Sequence, residues 1–433
     1  MPDKKVLIIT YYWPPAGGIS VQRWVKFVKF LRGHGWEPVV YTVSNGEYAI
    51  LDESRKKDLP ADLTVIRQPI WEPYQLYKTF SGKKGKAGGR DEIKSGKTAS
   101  FTQKISIWLR GNLFIPDARC FWIKPSIKFL SEYLKANPVD AIVSTGPPHT
   151  THLIALGLKK KLRLPWLADF RDPWTSMDYY KDLMLTRWAD RKHHMLELEV
   201  LTRADVVTVV GRAMQNEFDA KGANVQVLTN GFDEDDFATG EVSLDKEFTI
   251  VHTGSLYESR DPHALWSALA LLKKENHPLL QSVKVKLIGK VDQSVVNSAK
   301  AAGLEDNLQV VSSVPHAEAI RAMKSAQVLM LQVDRSESAQ WVVTGKLFEY
   351  LAANRPILCI GPVDGDAAGI LMKTNAGSTF GFVDAEGIKK HLINLYQQFE
   401  RKEQSVATSD ASEFSYRQLT QQMAKLLDQI SAW

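Results

Sequence analysis

WVVTGKLFEYLAANRPILCI (residues 341–360) reads as a helix running into a strand. Leu347, Phe348, Leu351 and Ala352 form an apolar stripe at helical spacing. ILCI is a short run of the kind found in buried parallel strands. A glycine, Gly345, stands where the helix begins, and Lys346 and Glu349 follow about one turn apart. The neighbours predict burial, so a surface ion pair explains this pairing poorly: a buried charge is costly without a partner. A bare backbone, a cation and a carboxylate at one helix start suit a ligand bearing both phosphates and hydroxyls. Helix N–H groups and an ammonium hold a diphosphate, and a carboxylate accepts from a ribose diol.

The same strand–helix alternation runs through the chain. Strands are expected at 6–10, 38–43, 141–146, 166–170, 206–210 and 225–230, and a second series at 248–254, 285–289, 308–314, 328–333 and 357–361. After the first strand, Val21, Trp24, Val25, Val28 and Leu31 keep helical spacing. Such alternation predicts α/β architecture with parallel, doubly wound sheets, present twice. A length of 433 residues agrees with two domains. The acidic, turn-rich stretch 230–248 reads as a solvated seam, dividing an N-terminal domain over 1–235 from a C-terminal domain over 245–414. The last stretch, 413–433, reads as an amphipathic helix with Phe414, Leu419, Met423, Leu426, Leu427 and Ile430 nearly in line, of which 415–433 is grouped with the N-terminal domain.

Composition is that of a globular protein, 44% hydrophobic and 24% charged, with net charge +6. The balance favours acidic partners. Two distant cysteines, Cys120 and Cys359, suit reduced thiols, and neither a signal peptide nor a membrane-spanning run is expected; the location expected is cytoplasmic. The Lys-, Gly- and Ser-rich stretch 77–104 reads as a mobile loop, and 105–130 is aromatic with interspersed cations. Residues 77–130 read either as a loop followed by packed helices or as a patch for an anionic membrane surface, peripheral on the inner face of the plasma membrane. Positive charge gathered in one loop without a recognition motif argues against nucleic acid.

Further candidates stand at strand ends. Gly17 and Gly18 lie in the first strand–helix turn, but the turn is not G-x-G-x-x-G and no ribose-clamping acid follows, which argues against a nicotinamide or flavin site. His149 and His152 follow the strand at 141–146, and Asp169, Arg171 and Asp172 follow the next. Two histidines without a third ligand are weak grounds for a metal, and no metal site is expected. The aspartates also suit helix capping. Gly254 and Ser255 open the second series with Arg260 behind them. The bland reading of Arg260 is a surface pair with Glu258 or Asp261.

Together these pieces resemble the family 4 retaining glycosyltransferases of the GT-B fold, of the type that builds bacterial surface polysaccharide. The closest parallel is T-G-K-L-F-E-Y-L-A-x-x-R-P-I-L (344–358), which looks like the family's nucleotide-sugar segment. P-P-x-G-G, T-G-P-P-H-x-x-H, D-F-R-D-P-W, T-N-G-F-D and H-T-G-S-L support it. The resemblance implies two Rossmann-like domains facing across a cleft, with the C-terminal helix crossing back to the N-terminal domain. It implies that Gly17, Gly18, Gly254, Ser255, Leu347 and Glu349 bind the donor, with Glu349 on the ribose and Arg260 on the diphosphate. Trp341 and Ser255 depart from the family's first glutamate and phosphate-binding arginine; Lys346 would restore the charge, and Asp334 or Glu337 the sugar contact.

The activity implied is metal-independent hexosyl transfer from a nucleotide-diphosphate sugar to a saccharide or lipid-linked saccharide, with no cofactor. Arg260 and Lys346 would stabilise the departing diphosphate, and His152 would orient the reacting sugar. His149, Asp169, Arg171, Asp172 and Glu337 are candidate acceptor or sugar contacts. Two rivals share these features: a non-hydrolysing nucleotide-sugar epimerase, and a non-catalytic sugar-nucleotide-binding scaffold on a membrane.

Overall fold

The computed structural model describes residues 4–48, 50–72, 101–238, 240, 242–403 and 410–432. The chain divides into two units, Met1–Thr229 with Tyr416–Trp433, and Asn230–Ser415. The first contains β1 (Lys4–Ile9), β2 (Trp36–Val43), β3 (Thr64–Gln68), β4 (Ala141–Gly146), β5 (Trp166–Phe170), β6 (Val206–Val209) and β7 (Val225–Val227). They form one sheet in the order β3-β2-β1-β4-β5-β6-β7, and all pairs are parallel. Ile8 lies between Val40 and Val143 in one core, while Leu7 and Ile9 face the other with Val39, Tyr41 and Ile142, so the central strands are apolar on both faces. Helix Ile19–Leu31 buries the expected Val21, Trp24, Val25, Val28 and Leu31. Against it lies the last helix, Tyr416–Ser431, whose Leu419, Met423 and Leu427 join the same core. Tyr416 meets Phe27 edge-on at 5.6 Å.

The second unit contains β8 (Phe248–Thr253), β9 (Val283–Ile288), β10 (Leu308–Val311), β11 (Val328–Gln332), β12 (Ile357–Ile360) and β13 (Gly377–Phe380). Their order is β10-β9-β8-β11-β12-β13, again parallel throughout. Each sheet is therefore doubly wound, and its strand order reverses once: between β1 and β4, and between β8 and β11. Ligands of such sheets bind at the strand carboxyl ends beside that reversal.

Two strands escape the sequence pattern, β3 (TVIRQ) and β13 (GSTF). Both are edge strands and partly exposed, so neither needs a continuous apolar run. The acidic seam is also more ordered than a solvated linker. Residues Glu234–Phe237 form a helical turn, and buried Asp233 caps it by accepting from Asp235 N at 3.1 Å. Of the expected mobile loop at 77–104, residues 77–100 lie outside the described residues, while helix Phe101–Leu113 includes 101–104. No described helix is long and apolar enough to cross a membrane.

Candidate functional site

Helix Gly345–Ala353 follows β11 and buries Leu347, Phe348, Tyr350 and Leu351. Tyr350 fixes it against the end of β8: its hydroxyl accepts from Thr253 N at 3.0 Å. Burial pushes that phenol up to about 12. Behind the helix, Asn354 takes the left-handed cap conformation, and Arg355 donates through Nε to Ala326 O at 2.7 Å. The R-P-I-L end of the segment thus pins β12 to the start of β11 and is structural.

Four residues before Tyr350, and so on the same helix face, Lys346 lies over Gly254. A Cβ at Gly254 would fall 2.6 Å from Lys346 Nζ, and Gly254 has φ +103°. Glycine is required here twice, for the backbone and for the close approach. Lys346 has no ion pair or hydrogen bond among the described residues. Burial, then the charge of Arg260, pull its pKa down to about 8, against a smaller opposing effect of Glu349. The helix start beside it has no side-chain cap, and Thr344 Oγ1 is buried without a partner. Free N–H groups, a desolvated ammonium and an orphaned hydroxyl converge at one end of the helix. That is a cradle for an anion.

Arg260 follows β8 in the turn Glu258–Arg260. It pairs with neither Glu258 nor Asp261. Its Nε meets Asp334 Oδ2 at 3.2 Å, across from the loop after β11, and Arg335 N donates to Ser259 O at 3.0 Å. Asp261 instead accepts from Trp266 Nε1 at 2.8 Å. Asp334 thus serves to hold Arg260. Glu349 is partly buried and makes no hydrogen bond or ion pair among the described residues. Leu347 is buried in the core, Ser255 is partly buried in the turn, Glu337 is exposed, and Trp341 closes a short helical turn.

A residue missed in the sequence is His252, buried at the end of β8. Its Nδ1 donates to Met330 O at 3.0 Å. Burial, followed by the nearby charges of Lys346 and Arg260, lowers it to about 3, so it stays neutral at physiological pH. The available signal was a histidine within the otherwise apolar run FTIVH.

In the first unit, Gly18 (φ +92°) precedes helix Ile19–Leu31 and has open space where a side chain would project. Gly17 answers a packing need instead: a Cβ there would meet Ile50 Cγ2 at 2.8 Å, and its N–H donates to Ile50 O. Asp169 is not available for a sugar. It is fully buried and accepts from Arg23 Nη2 (2.8 Å), Trp24 Nε1 (2.8 Å), Thr145 Oγ1 (2.9 Å) and Thr208 Oγ1 (2.9 Å). Burial alone would raise its pKa; Arg23 and these hydrogen bonds hold it below the usual range. Arg23 also donates to the carbonyls of Leu228 and Thr229. Asp169 is a frame residue for the chain's exit from the unit. Arg171, whose guanidinium donates to Pro147 O, braces the turn before His149. Asp172 lies partly exposed beside it.

Gly146 ends β4, and any Cβ there would strike His152 Nε2 at 2.5 Å and approach His149 Nδ1 at 3.3 Å. Trp166 Nε1 donates to Ser144 Oγ, which leaves the hydroxyl proton for His152 Nδ1 at 2.8 Å. This network assigns the imidazole proton to Nε2. Neither His152 Nε2 nor either His149 nitrogen has a partner among the described residues. His152 stacks on Phe170 at 4.2 Å and His149 on Trp174 at 4.7 Å. Burial lowers both, His152 to about 3. His149, Trp174, Tyr12, Arg119 and His193 line a cavity of about 220 Å³. A larger one of about 400 Å³, with Lys159, Arg163 and Asp205, lies at the amino ends of β5 and β6, the end that doubly wound sheets do not use.

No protein-family model matches the chain, and no curated protein matches by sequence. Solved structures do match over nearly the whole length. Sucrose-phosphate synthase from Thermosynechococcus elongatus aligns over 99% of both chains at TM-score 0.63 and 12% identity. The chain has the GT-B fold. HepE of Anabaena in complex with UDP-glucose aligns over 98% of this chain and all of its own at TM-score 0.61 and 14% identity. WaaG, a glycosyltransferase involved in lipopolysaccharide biosynthesis, aligns over 98% and 99% at 0.57 and 14%. A putative UDP-N-acetylglucosamine 2-epimerase from Listeria monocytogenes aligns as well, over 98% and 95% at TM-score 0.55 and 10% identity.

Proposed function

We propose that the protein is a retaining glycosyltransferase that moves a hexose from a nucleotide-diphosphate sugar to a saccharide or lipid-linked saccharide in cell-surface polysaccharide synthesis. The observation that carries this reading is Lys346: a partly buried ammonium that has no counter-ion among the described residues, against Gly254, at an uncapped helix start, with Glu349, likewise unpaired among those residues, one turn away. Breaking an anomeric C–O bond places negative charge on the leaving diphosphate. Lys346, Arg260 and the free N–H groups would stabilise that charge in a low-dielectric setting, and in this reading they do so without a metal. Glu349 would accept from the ribose hydroxyls and so fix the donor's position. Neutral His152, with its Nε2–H unpartnered, suits a sugar hydroxyl. HepE binding UDP-glucose and WaaG acting in lipopolysaccharide biosynthesis support the donor class and the setting.

The test is a melting screen against UDP-, GDP- and other nucleotide sugars. Donor at about 100 times its dissociation constant adds about 2.7 kcal/mol, and Glu349→Ala should lose the shift. If no nucleotide sugar raises the melting temperature, the reading fails. The fold likeness to an epimerase keeps a second reading in view, and donor interconversion without an acceptor would favour it.

A further inference from the structure

Helix Arg187–Arg203 buries two polar side chains, His193 and Glu197, one turn apart on its inner face. Both reach the loop after β5, at consecutive residues. Glu197 accepts from Thr175 N at 3.1 Å and from Thr175 Oγ1 at 2.8 Å, and Lys221 neutralises it at 2.9 Å. That grip anchors the loop and touches no ring. His193 holds a ring instead: Trp174 Nε1 donates to its Nδ1 at 3.1 Å. Its other nitrogen, Nε2, meets Gly111 O at 3.3 Å, on helix Phe101–Leu113.

A carbonyl only accepts, so Nε2 carries the proton; an indole N–H only donates, so Nδ1 carries none. The two bonds together admit one form of His193, the neutral Nε2–H tautomer. Burial favours that form by pulling the pKa down, against the Gly111 carbonyl and the charges of Asp117 and Asp190. Tyr180 meets the His193 ring edge-on at 5.7 Å.

Trp174 in turn carries His149. Their rings are parallel within 3°, with centroids 4.7 Å apart. His149 is buried with neither ring nitrogen partnered among the described residues, and it lines the cavity of about 220 Å³ together with Trp174 and His193. A buried polar group without a protein partner calls for one from outside the chain. The indole beneath His149 sets the plane of that imidazole, and His193 sets the indole.

We propose that His193 is a positioning residue: through Trp174 it fixes the imidazole of His149 toward a hydroxyl of the sugar that receives the transferred hexose. That the ligand is a sugar rests on the glycosyl-transfer reading; the bonds that hold Trp174 do not. Residues 111, 174 and 193 lie on three separate segments, so no local pattern in the sequence announces the link.

The test uses the full chain with isotope-labelled histidine and methyl α-glucopyranoside as the probe. At pH 7 the nuclear magnetic resonance spectrum should show His193 as the Nε2–H tautomer, and the glycoside should shift the His149 ring resonances. His193→Phe keeps a ring in place and removes the acceptor for Trp174, so the dissociation constant for the glycoside should rise about tenfold. His193→Asn brings an amide oxygen near the place of Nδ1 and should recover most of that loss, which a general loosening of the fold would not allow. Trp174→Phe, which keeps a ring beneath His149 and deletes the N–H, reads the same loss should His193→Phe prove unstable. Four results overturn the inference: an Nδ1–H tautomer or an imidazolium at His193, wild-type glycoside binding in both Phe variants, an Asn variant no better than Phe, or a glycoside that leaves His149 unmoved in the wild type. The nucleotide-sugar melting shift, read on the same samples, should be the same in all variants, because the donor groups lie in the second unit. Its absence from the wild type sinks the transfer reading and leaves the His193 bonds standing.

Discussion

Donor binding should be coupled to protonation of Lys346. The ammonium is held at a pKa of about 8 in the empty site, against an ordinary value of 10.5. A diphosphate ester at Nζ removes the cause of that depression, because it supplies the counter-ion that burial withholds, so the bound pKa rises back toward or beyond 10.5. The bound state therefore holds the proton where the free state has lost it. Between pH 7 and pH 9 the free lysine passes from about nine-tenths charged to about one-tenth, and the dissociation constant should rise about tenfold, or about 1.4 kcal/mol. The donor's diphosphate, esterified at both ends, stays fully ionised over this range. His252 is already neutral there, being lowered to about 3.

The same shift predicts an opposite effect on the empty protein. Folded pKa lies below unfolded pKa for a base, so the ammonium penalises folding fully below pH 8, and the penalty fades as pH rises toward 10.5. From 10.5 to about 8 the cost is at most about 3 kcal/mol. Lys346→Met should thus raise the ligand-free melting temperature at pH 7 while losing the nucleotide sugar. Isothermal titration at pH 7 and 9 in buffers of differing ionisation heat reads both the affinity and the proton uptake. A wild-type dissociation constant unchanged over that range, or a Met variant that binds like wild type, would refute the reasoning.

Two other outcomes can be checked directly. Gly254→Ala forces a side chain onto Lys346 at positive φ, so donor affinity should fall about as far as in Lys346→Met; in a double-variant cycle the two losses should not add. Asp169→Asn leaves Arg23 buried without its charge partner, which costs about 3–5 kcal/mol, read as a lowered urea midpoint for the first unit; an unchanged midpoint would show that Asp169 does not frame the unit.

The central strands were legible because burial on both faces writes a continuous apolar run; β3 and β13, at sheet edges, write none. Lys346, Glu349, Gly254 and Arg260 were each legible from local chemistry at a helix start or a strand end. Their joining was implied only by the family resemblance and not by local pattern, because it depends on Tyr350 reaching Thr253 and on Arg260 choosing Asp334 over the acids nearest in sequence. Asp169 shows the converse. It stands at a strand end like a ligand-facing residue, but its four kinds of partner come from residues 23, 24, 145 and 208, and no local pattern announces that convergence.

What distinguishes a site from a frame in this chain is which charges are left over. The first unit closes its buried charges on themselves: Arg23 with Asp169, Lys26 with Asp58, Arg119 with Glu72, Lys221 with Glu197. Among its described residues, what it leaves without partners at the strand ends is Arg171 Nε, on a guanidinium that also bonds Pro147 O, and the imidazoles of His149 and His152 against aromatic rings. The second unit pairs Arg260 but, among the described residues, leaves Lys346 charged and without a partner at a helix start that has no side-chain cap. Burial makes an uncompensated ammonium costly, so that arrangement is stable only to the extent that an anion completes it. Neutral imidazoles carry no such demand and suit hydroxyls on a neutral ring. The two sets of unpartnered groups thus call for different ligand chemistry, hydroxyls in the first unit and an anion in the second.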